Sequence, residues 1–107
     1  MTFINQIEPF LGYSEGEAAK RYLSNGGWLT EFKETEKFAE TISEFLKVKY
    51  TVLTTSGTIA LYLSLLSSGL KRGDKIIVPN FTMIATINVI KWAGFEPVLV
   101  DIEPQNL

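Results

Sequence analysis

The residues best placed to do chemistry in this sequence are Ser56, Gly57 and Thr58, which stand between a β-branched stretch and a long apolar one. Serine favours the cap position of a helix, and glycine lets the backbone approach a ligand closely. The first amides of a helix lack internal partners and carry partial positive charge. A capping box would need Glu or Gln at the position of Ile59. The junction therefore predicts an anion site, most naturally for a phosphate, with a helix cap that binds nothing as the alternative.

Other features of the sequence exclude several classes of function. No Gly-Lys-Ser/Thr follows the junction and no GxGxxG is present, which excludes a Walker loop and the dinucleotide fingerprint. The chain has no cysteine and no histidine, so no disulfide, thiol nucleophile or metal site is predicted. A net charge of −2 gives no footprint for nucleic acid. Without an apolar run of membrane-spanning length or a signal peptide, we predict a cytoplasmic protein that does not enter a membrane.

The elements that must position the junction follow from periodicity and turn residues. With 107 residues, of which 46% are hydrophobic, the chain is long enough for one small domain. Helices are predicted at residues 15–24, 31–47, 58–68 and 83–93, and strands at 51–54, 75–78 and 97–101. Ser14 with Glu17 predicts the capping box of the first helix, and Thr30 the cap of the second.

Two helices carry further expectations about burial. In the second helix, Phe38, Ile42 and Phe45 recur on one face, which predicts that this face is buried. The apolar residues of the third helix surround most of its circumference, so we expect it to be covered on nearly every side.

The strands and helices alternate in the second half of the chain. Residues 1–49 are predicted to hold an arm and helices, and residues 50–107 the βαβαβ start of a sheet in a three-layer α/β/α fold. Ligands of such folds gather at the carboxyl ends of the strands. Residues 54–58, residues 79–83 and Asp101 are placed there.

Four stretches, spread in order over nearly the whole chain, resemble the beginning of the DegT/DnrJ/EryC1/StrS aminotransferases. They are Gly27-Trp28-Leu29-Thr30, Thr55-Ser56-Gly57-Thr58 with Ala60-Leu61, Gly73-Asp74-Lys75-Ile76-Ile77-Val78-Pro79, and Phe81-Thr82-Met83-Ile84-Ala85-Thr86 running on to Val100-Asp101-Ile102. Each motif is weak alone, but four in register are specific. Members of this family use pyridoxal 5′-phosphate (PLP) to aminate nucleotide-linked keto-sugars.

The resemblance implies roles for single residues. Gly57 and Thr58 match positions that hold the cofactor phosphate, and Ser56 matches a neighbouring position that caps the helix. Met83 matches a position that usually carries an aromatic ring stacked on the pyridine. This sequence departs from the pattern there, although a thioether also packs well against a ring. Phe81 is the fallback for that contact.

Other residues that resemble family positions receive no catalytic role. Asp101 is not expected to be the carboxylate that pairs with the pyridine nitrogen. Trp28 and Thr30 are expected to lie near the site as structural residues.

The resemblance also implies an incomplete fold. The chain corresponds to the N-terminal part of the large domain of the type I PLP-dependent transferase fold, with no second domain. In that fold the first strand is separated from the next two by later strands. The Schiff-base lysine and the carboxylate partner of the pyridine nitrogen would lie beyond residue 107. We therefore expect no catalytic residue in this chain, and no transamination by it alone.

The implied partners are a nucleotide-sugar substrate, an amino-acid donor (glutamate is expected) and a second copy of the protein in a homodimer. Two alternatives stay open. One is a PLP-dependent sugar dehydratase, which differs from an aminotransferase at the lysine position. The other is a non-catalytic module that binds a phosphate or a partner through exposed sheet edges.

Overall fold

The computed structural model describes residue 5, residues 7–26 and residues 32–106. Within these ranges the chain forms α1 (Tyr13–Ser24), α2 (Lys33–Leu46), α3 (Gly57–Ser67), β1 (Lys75–Pro79), α4 (Ile84–Trp92), β2 (Glu96–Val100) and a 3-10 turn (Pro104–Asn106). All four predicted helices are present. No helix in these ranges is long and apolar enough to cross a membrane. The predicted loop at Trp28 and the cap at Thr30 lie outside the described residues.

The best-packed part of the chain is the unit formed by β1, α4 and β2. The two strands are parallel, with a register that runs from Lys75 opposite Glu96 to Pro79 opposite Val100. Continuous apolar sequence in both strands suits a parallel sheet that is covered by a helix. Its core contains Val78, Ile90 and Phe95, against which Leu65 of α3 also packs. This unit confirms the second and third predicted strands.

Backbone hydrogen bonds close the amino end of this unit. The Gly73 amide donates to the Gly94 carbonyl, and the Glu96 amide donates to the Asp74 carbonyl, both at 2.9 Å. Gly73 has φ 91° and Gly94 has φ 84°, a left-handed conformation that glycine adopts without a steric penalty. The turn before β1 and the turn after α4 are therefore joined directly.

The predicted strand at residues 51–54 is not formed, and this part of the βαβαβ prediction is wrong. No described strand pairs with these residues, because the sheet contains β1 and β2 alone. Val52 is 81% exposed. A β-branched segment becomes a strand only when a neighbour accepts its backbone hydrogen bonds. The absence of pairing agrees with the separation of this segment from the other two strands that the resemblance implied.

The expected burial of α3 on nearly every side is also not observed. Leu61, Leu63 and Leu66 are each about half exposed, and α3 packs against α4 as its one helical neighbour in the described part of the chain. Apolar residues do surround most of the circumference of α3. Burial needs neighbours on each side, however, and only one side has them.

The amino-terminal helices differ from prediction in their caps and burial. Helix α1 begins at Tyr13, and its first turn is closed by Glu15, whose Oε2 accepts the Gly12 amide at 2.8 Å. The predicted Ser14–Glu17 capping box is therefore wrong, because the acid sits two residues earlier. The predicted buried face of α2 is open, with Phe45 79% exposed. Among the described elements, no helix or strand packs against α1 or α2.

Candidate functional site

The amino terminus of α3 is built by Ser56. Its backbone is extended (φ −164°, ψ 159°), and its Oγ accepts the Ile59 amide at 3.3 Å. Its carbonyl accepts both the Ala60 amide at 3.0 Å and the Thr54 hydroxyl at 2.9 Å. The cap predicted for Ser56 is confirmed. These bonds fix the direction in which α3 leaves the extended segment.

The next two residues keep their amides open. Neither the Gly57 amide nor the Thr58 amide has a hydrogen-bond acceptor among the described residues. The first turn of α3 contains no acidic side chain. A Cβ atom placed on Gly57 would meet nothing within 4 Å. Two free donors, a favourable helix dipole and open space together fit a phosphate group.

The chain direction favours a common edge of the sheet for the starts of α3 and α4. Seven residues, 68–74, join the end of α3 to the first residue of β1. The 11 residues of α3 span about 16 Å, close to the length of β1. Residues in the middle of α3, Leu61 and Leu65, line one cavity with β1 and with Ile90 of α4, and α4 begins just after the carboxyl end of β1. This is the edge at which parallel sheets bind their ligands.

A polar contact ties the two strand ends at this edge. The Asn80 amide donates to the Val100 carbonyl at 2.9 Å, and Asn80 Nδ2 donates to Asp101 Oδ1 at 2.7 Å. The turn that follows carries Phe81 and Met83, which are 75% and 73% exposed. Met83 occupies the N-cap position of α4 and makes no side-chain capping bond. Its thioether is thus free to contact a ligand.

The lysines of the sheet region lie at the other edge. Lys75 is the first residue of β1, Lys71 belongs to the turn before it, and Lys91 lies in the last turn of α4. The length of β1, about 13 Å between its first and last residues, separates this end from Asn80. None of the three lies at the carboxyl ends of the strands.

Contacts among the described residues therefore join only part of the site that the sequence predicts. Ser56, Gly57 and Thr58 lie at the start of α3 and Met83 at the start of α4, while Trp28 and Thr30 lie outside the described residues. No group of three metal-ligating side chains occurs among the residues described. Sequence reasoning missed Asn80 as a partner of Asp101. The available signal was a polar residue directly after each of two neighbouring strands.

Sequence comparison relates the chain to known enzymes. The family model of the DegT/DnrJ/EryC1/StrS aminotransferases matches residues 12–107. GDP-perosamine synthase of Vibrio cholerae is 36% identical over an alignment of 104 residues, which covers 94% of this chain and 27% of that protein. GDP-perosamine synthase of Escherichia coli O157:H7 is 35% identical over 101 residues, or 94% and 28%. The chain thus spans just over a quarter of the length of these curated relatives.

Solved structures give the same relationship. A protein described as a sugar aminotransferase from Streptococcus pneumoniae, in its PLP form, superposes with a TM-score of 0.76 and 33% identity, covering 89% of this chain and 24% of that one. NtdA of Bacillus subtilis, with bound PMP, superposes with a TM-score of 0.71 and 34% identity, covering 83% and 20%. These neighbours confirm the predicted fold class.

Proposed function

Because the chain belongs to the DegT/DnrJ/EryC1/StrS aminotransferase family, we propose that it forms the phosphate-binding end of a PLP site in an enzyme that aminates nucleotide-linked keto-sugars. The observation that carries the proposal is the pair of free amides at Gly57 and Thr58. They point out of a helix start that Ser56 has already capped. A cap and an anion site thus use different amides of the same turn.

The residues of this chain bind and orient the cofactor. The amides of Gly57 and Thr58, with the Thr58 hydroxyl, hold the phosphate, and Ser56 keeps the first turn of α3 in place for them. Met83 would contact the pyridine ring, toward which its polarizable sulfur is a favourable neighbour. Bound PLP supplies the aldehyde and the electron-withdrawing ring through which an amino group passes between donor and acceptor. No residue of this chain is given a catalytic role.

The proposed substrate follows from the relatives. Two of them are named for the synthesis of a GDP-linked sugar, perosamine, which supports a nucleotide-linked keto-sugar as acceptor. Glutamate as donor, a homodimer as the assembly and the cytoplasm as the location stay predictions from the sequence. The Schiff-base lysine is proposed to lie outside this chain, a view supported by the position of Lys71, Lys75 and Lys91 at the opposite edge.

The alternatives are less well supported. A sugar dehydratase would use the same phosphate site, but the relatives found here are named as a sugar synthase and a sugar aminotransferase. A non-catalytic module would explain the exposed apolar surface of α3. A module of this kind that binds a phosphate would use the same two amides, so the argument for the enzyme is the family match.

A direct test uses pyridoxamine phosphate (PMP), which has no aldehyde and therefore cannot react with surface lysines. Amide NMR spectra of the 107-residue chain would be recorded during titration with PMP. We expect the largest shifts at Gly57 and Thr58, with a smaller change at Met83. Pyridoxamine without its phosphate is the matched ligand control and should leave the Gly57 and Thr58 amides unmoved.

Two results would contradict the proposal. One is a PMP response confined to lysine-rich surfaces or to the start of α4. The other is an equal response to both ligands, which would exclude phosphate recognition at the α3 amino terminus. A separate assay with PLP, glutamate and a GDP-linked keto-sugar is expected to yield no 2-oxoglutarate, because the lysine is proposed to be absent.

A further inference from the structure

We propose that Asn80 and Asp101 are positioning residues, whose side-chain hydrogen bond sets the place of Met83 at the cofactor ring. The inference rests on the proposed function, since it concerns the ring contact assigned there to Met83. Neither residue needs to touch the cofactor. Their effect is transmitted through the turn between β1 and α4.

The first observation is the double attachment of Asn80. Its backbone amide continues the ladder by one step beyond the last strand pair, donating to Val100 at 2.9 Å. Its side chain then donates to Asp101 Oδ1 at 2.7 Å, across 21 positions of sequence. A hydrogen bond to a carboxylate is shorter and stronger than one between neutral groups. The end of β1 is thereby fixed to the end of β2 at two points.

The second observation is how little else holds the following turn. No hydrogen bond from Phe81 or Thr82 is found among the described residues, and the side chain of Phe81 is largely exposed. The next backbone bond joins the Thr86 amide to the Met83 carbonyl at 2.9 Å, inside the start of α4. The position of Met83 is thus set by α4 on one side and by Asn80 on the other.

A purely structural role is the competing explanation. The pair is exposed to solvent, and an exposed hydrogen bond adds little to stability. The core built on Val78 and Ile90 includes neither Asn80 nor Asp101. A hydrogen bond that contributes little to stability but fixes the turn before α4 is better explained as a contact that positions Met83.

The test uses a reciprocal exchange. Asn80→Asp places two carboxylates in contact, so the turn should move away from Asp101. The double variant Asn80→Asp/Asp101→Asn restores one donor and one acceptor with the roles reversed. Asn80→Ala removes the bond without repulsion. The readout is the Met83 methyl resonance, which PMP should shift through the ring current, together with the dissociation constant of PMP.

This resonance is easy to follow, because Met83 is one of two methionines and the other is the initiating residue. We expect Asn80→Asp to weaken PMP binding about five- to tenfold and to reduce the methyl shift. The double variant should recover both. Inorganic phosphate should bind all variants equally, since the α3 amino terminus is unchanged.

The outcomes separate this proposal from the one it rests on. If PMP fails to shift the Gly57 and Thr58 amides of the unaltered chain, the proposed function fails, and this inference with it. If PMP shifts them but the Met83 methyl behaves alike in all variants, the positioning role alone is overturned. Loss of a dispersed spectrum in Asn80→Ala would make the pair structural and would equally overturn it.

Discussion

The Ser56 hydroxyl accepts the amide of Ile59 at 3.3 Å, one turn into α3. The cap therefore uses the third amide of the helix and leaves those of Gly57 and Thr58 to face outward. Ser56 thus acts on a ligand through the helix that it stabilises. Substitutions that keep or remove the cap can test whether Ser56 caps the helix while the amides of Gly57 and Thr58 bind the ligand.

Ser56→Ala and Ser56→Asp separate capping from ligand binding. Alanine removes the acceptor and should lower the free energy of unfolding by about 1 kcal/mol. Aspartate caps as well as serine, but its charge would repel a phosphate at the neighbouring amides. We expect Ser56→Asp to keep its stability and to bind PMP about tenfold or more weakly. Thermal melts and binding isotherms measure the two effects. Equal PMP affinity in Ser56→Asp and the unaltered chain would contradict a phosphate at this turn.

Substitutions of Met83 test the ring contact. Its side chain is 73% exposed, so Met83→Ala should change stability by less than about 0.5 kcal/mol. Loss of the sulfur–ring contact should weaken PMP binding about two- to tenfold. Met83→Phe provides an aromatic face instead and should bind at least as tightly as methionine. Isothermal titration of the three proteins gives the comparison. If Met83→Ala bound PMP as tightly as the unaltered chain, Met83 would not be the contact for the pyridine ring.

Ile90 tests the core that supports the site. It is 3% exposed and contacts the cluster that includes Val78 and Phe95. Ile90→Ala should cost about 2–5 kcal/mol, which is a large share of the stability of a small domain. Ile84 is the matched control on the same helix, because it is 63% exposed, and Ile84→Ala should be nearly neutral. Chemical denaturation measures both variants. Similar losses from the two would mean that the packing of α4 is not as described.

The pH dependence of α1 follows from Glu15. Hydrogen bonds from its own backbone amide, from Gly12 and from the Ser14 hydroxyl lower the pKa of this carboxyl from its ordinary value of 4.5. The folded form thus binds a proton less readily than the unfolded form. The stabilisation is fully present above pH 4.5 and is lost as the pH falls through the lower folded pKa.

An NMR titration of the glutamate carboxyl groups would measure the pKa of Glu15. We expect loss of the first turn of α1 to accompany its protonation, and we expect Glu15→Gln to abolish that pH dependence. Glu17→Gln is the control, because Glu17 contacts the exposed Lys20 at 3.8 Å and accepts no cap amide. An unshifted Glu15 would contradict the cap at Gly12.

Local signals in the sequence predicted the helices and the packed strands well. Ser56 was recognised as a cap because residue type and position agreed, and the apolar runs of β1 and β2 identified buried parallel strands. The α1 cap was misassigned because two acids stand three residues after two plausible starts. Only the three-dimensional contact shows that Glu15 is the one that reaches back.

What the sequence could not predict depends on neighbours. The segment 51–54 has strand-like residues but no partner, and α3 has an apolar circumference but one packed side. The apolar pattern of a sequence shows which residues of a segment are suited to burial. Whether they are buried depends on another element that packs against them. The Asn80–Asp101 hydrogen bond could not be predicted from the sequence for a related reason. Its register across 21 positions is set by the pairing of whole strands.

The closure of the β1–α4–β2 unit at both ends has a consequence for the order of folding. Gly73 joins Gly94 at one edge and Asn80 joins Asp101 at the other, so the unit is complete within about thirty residues of chain. Closing a loop of about twenty residues costs less chain entropy than pairing segments that lie further apart in the chain. We expect this unit to be the first part of the chain to resist hydrogen exchange during refolding. It would serve as the folding nucleus. Helix α3, which carries the free amides of Gly57 and Thr58, would dock onto it afterwards.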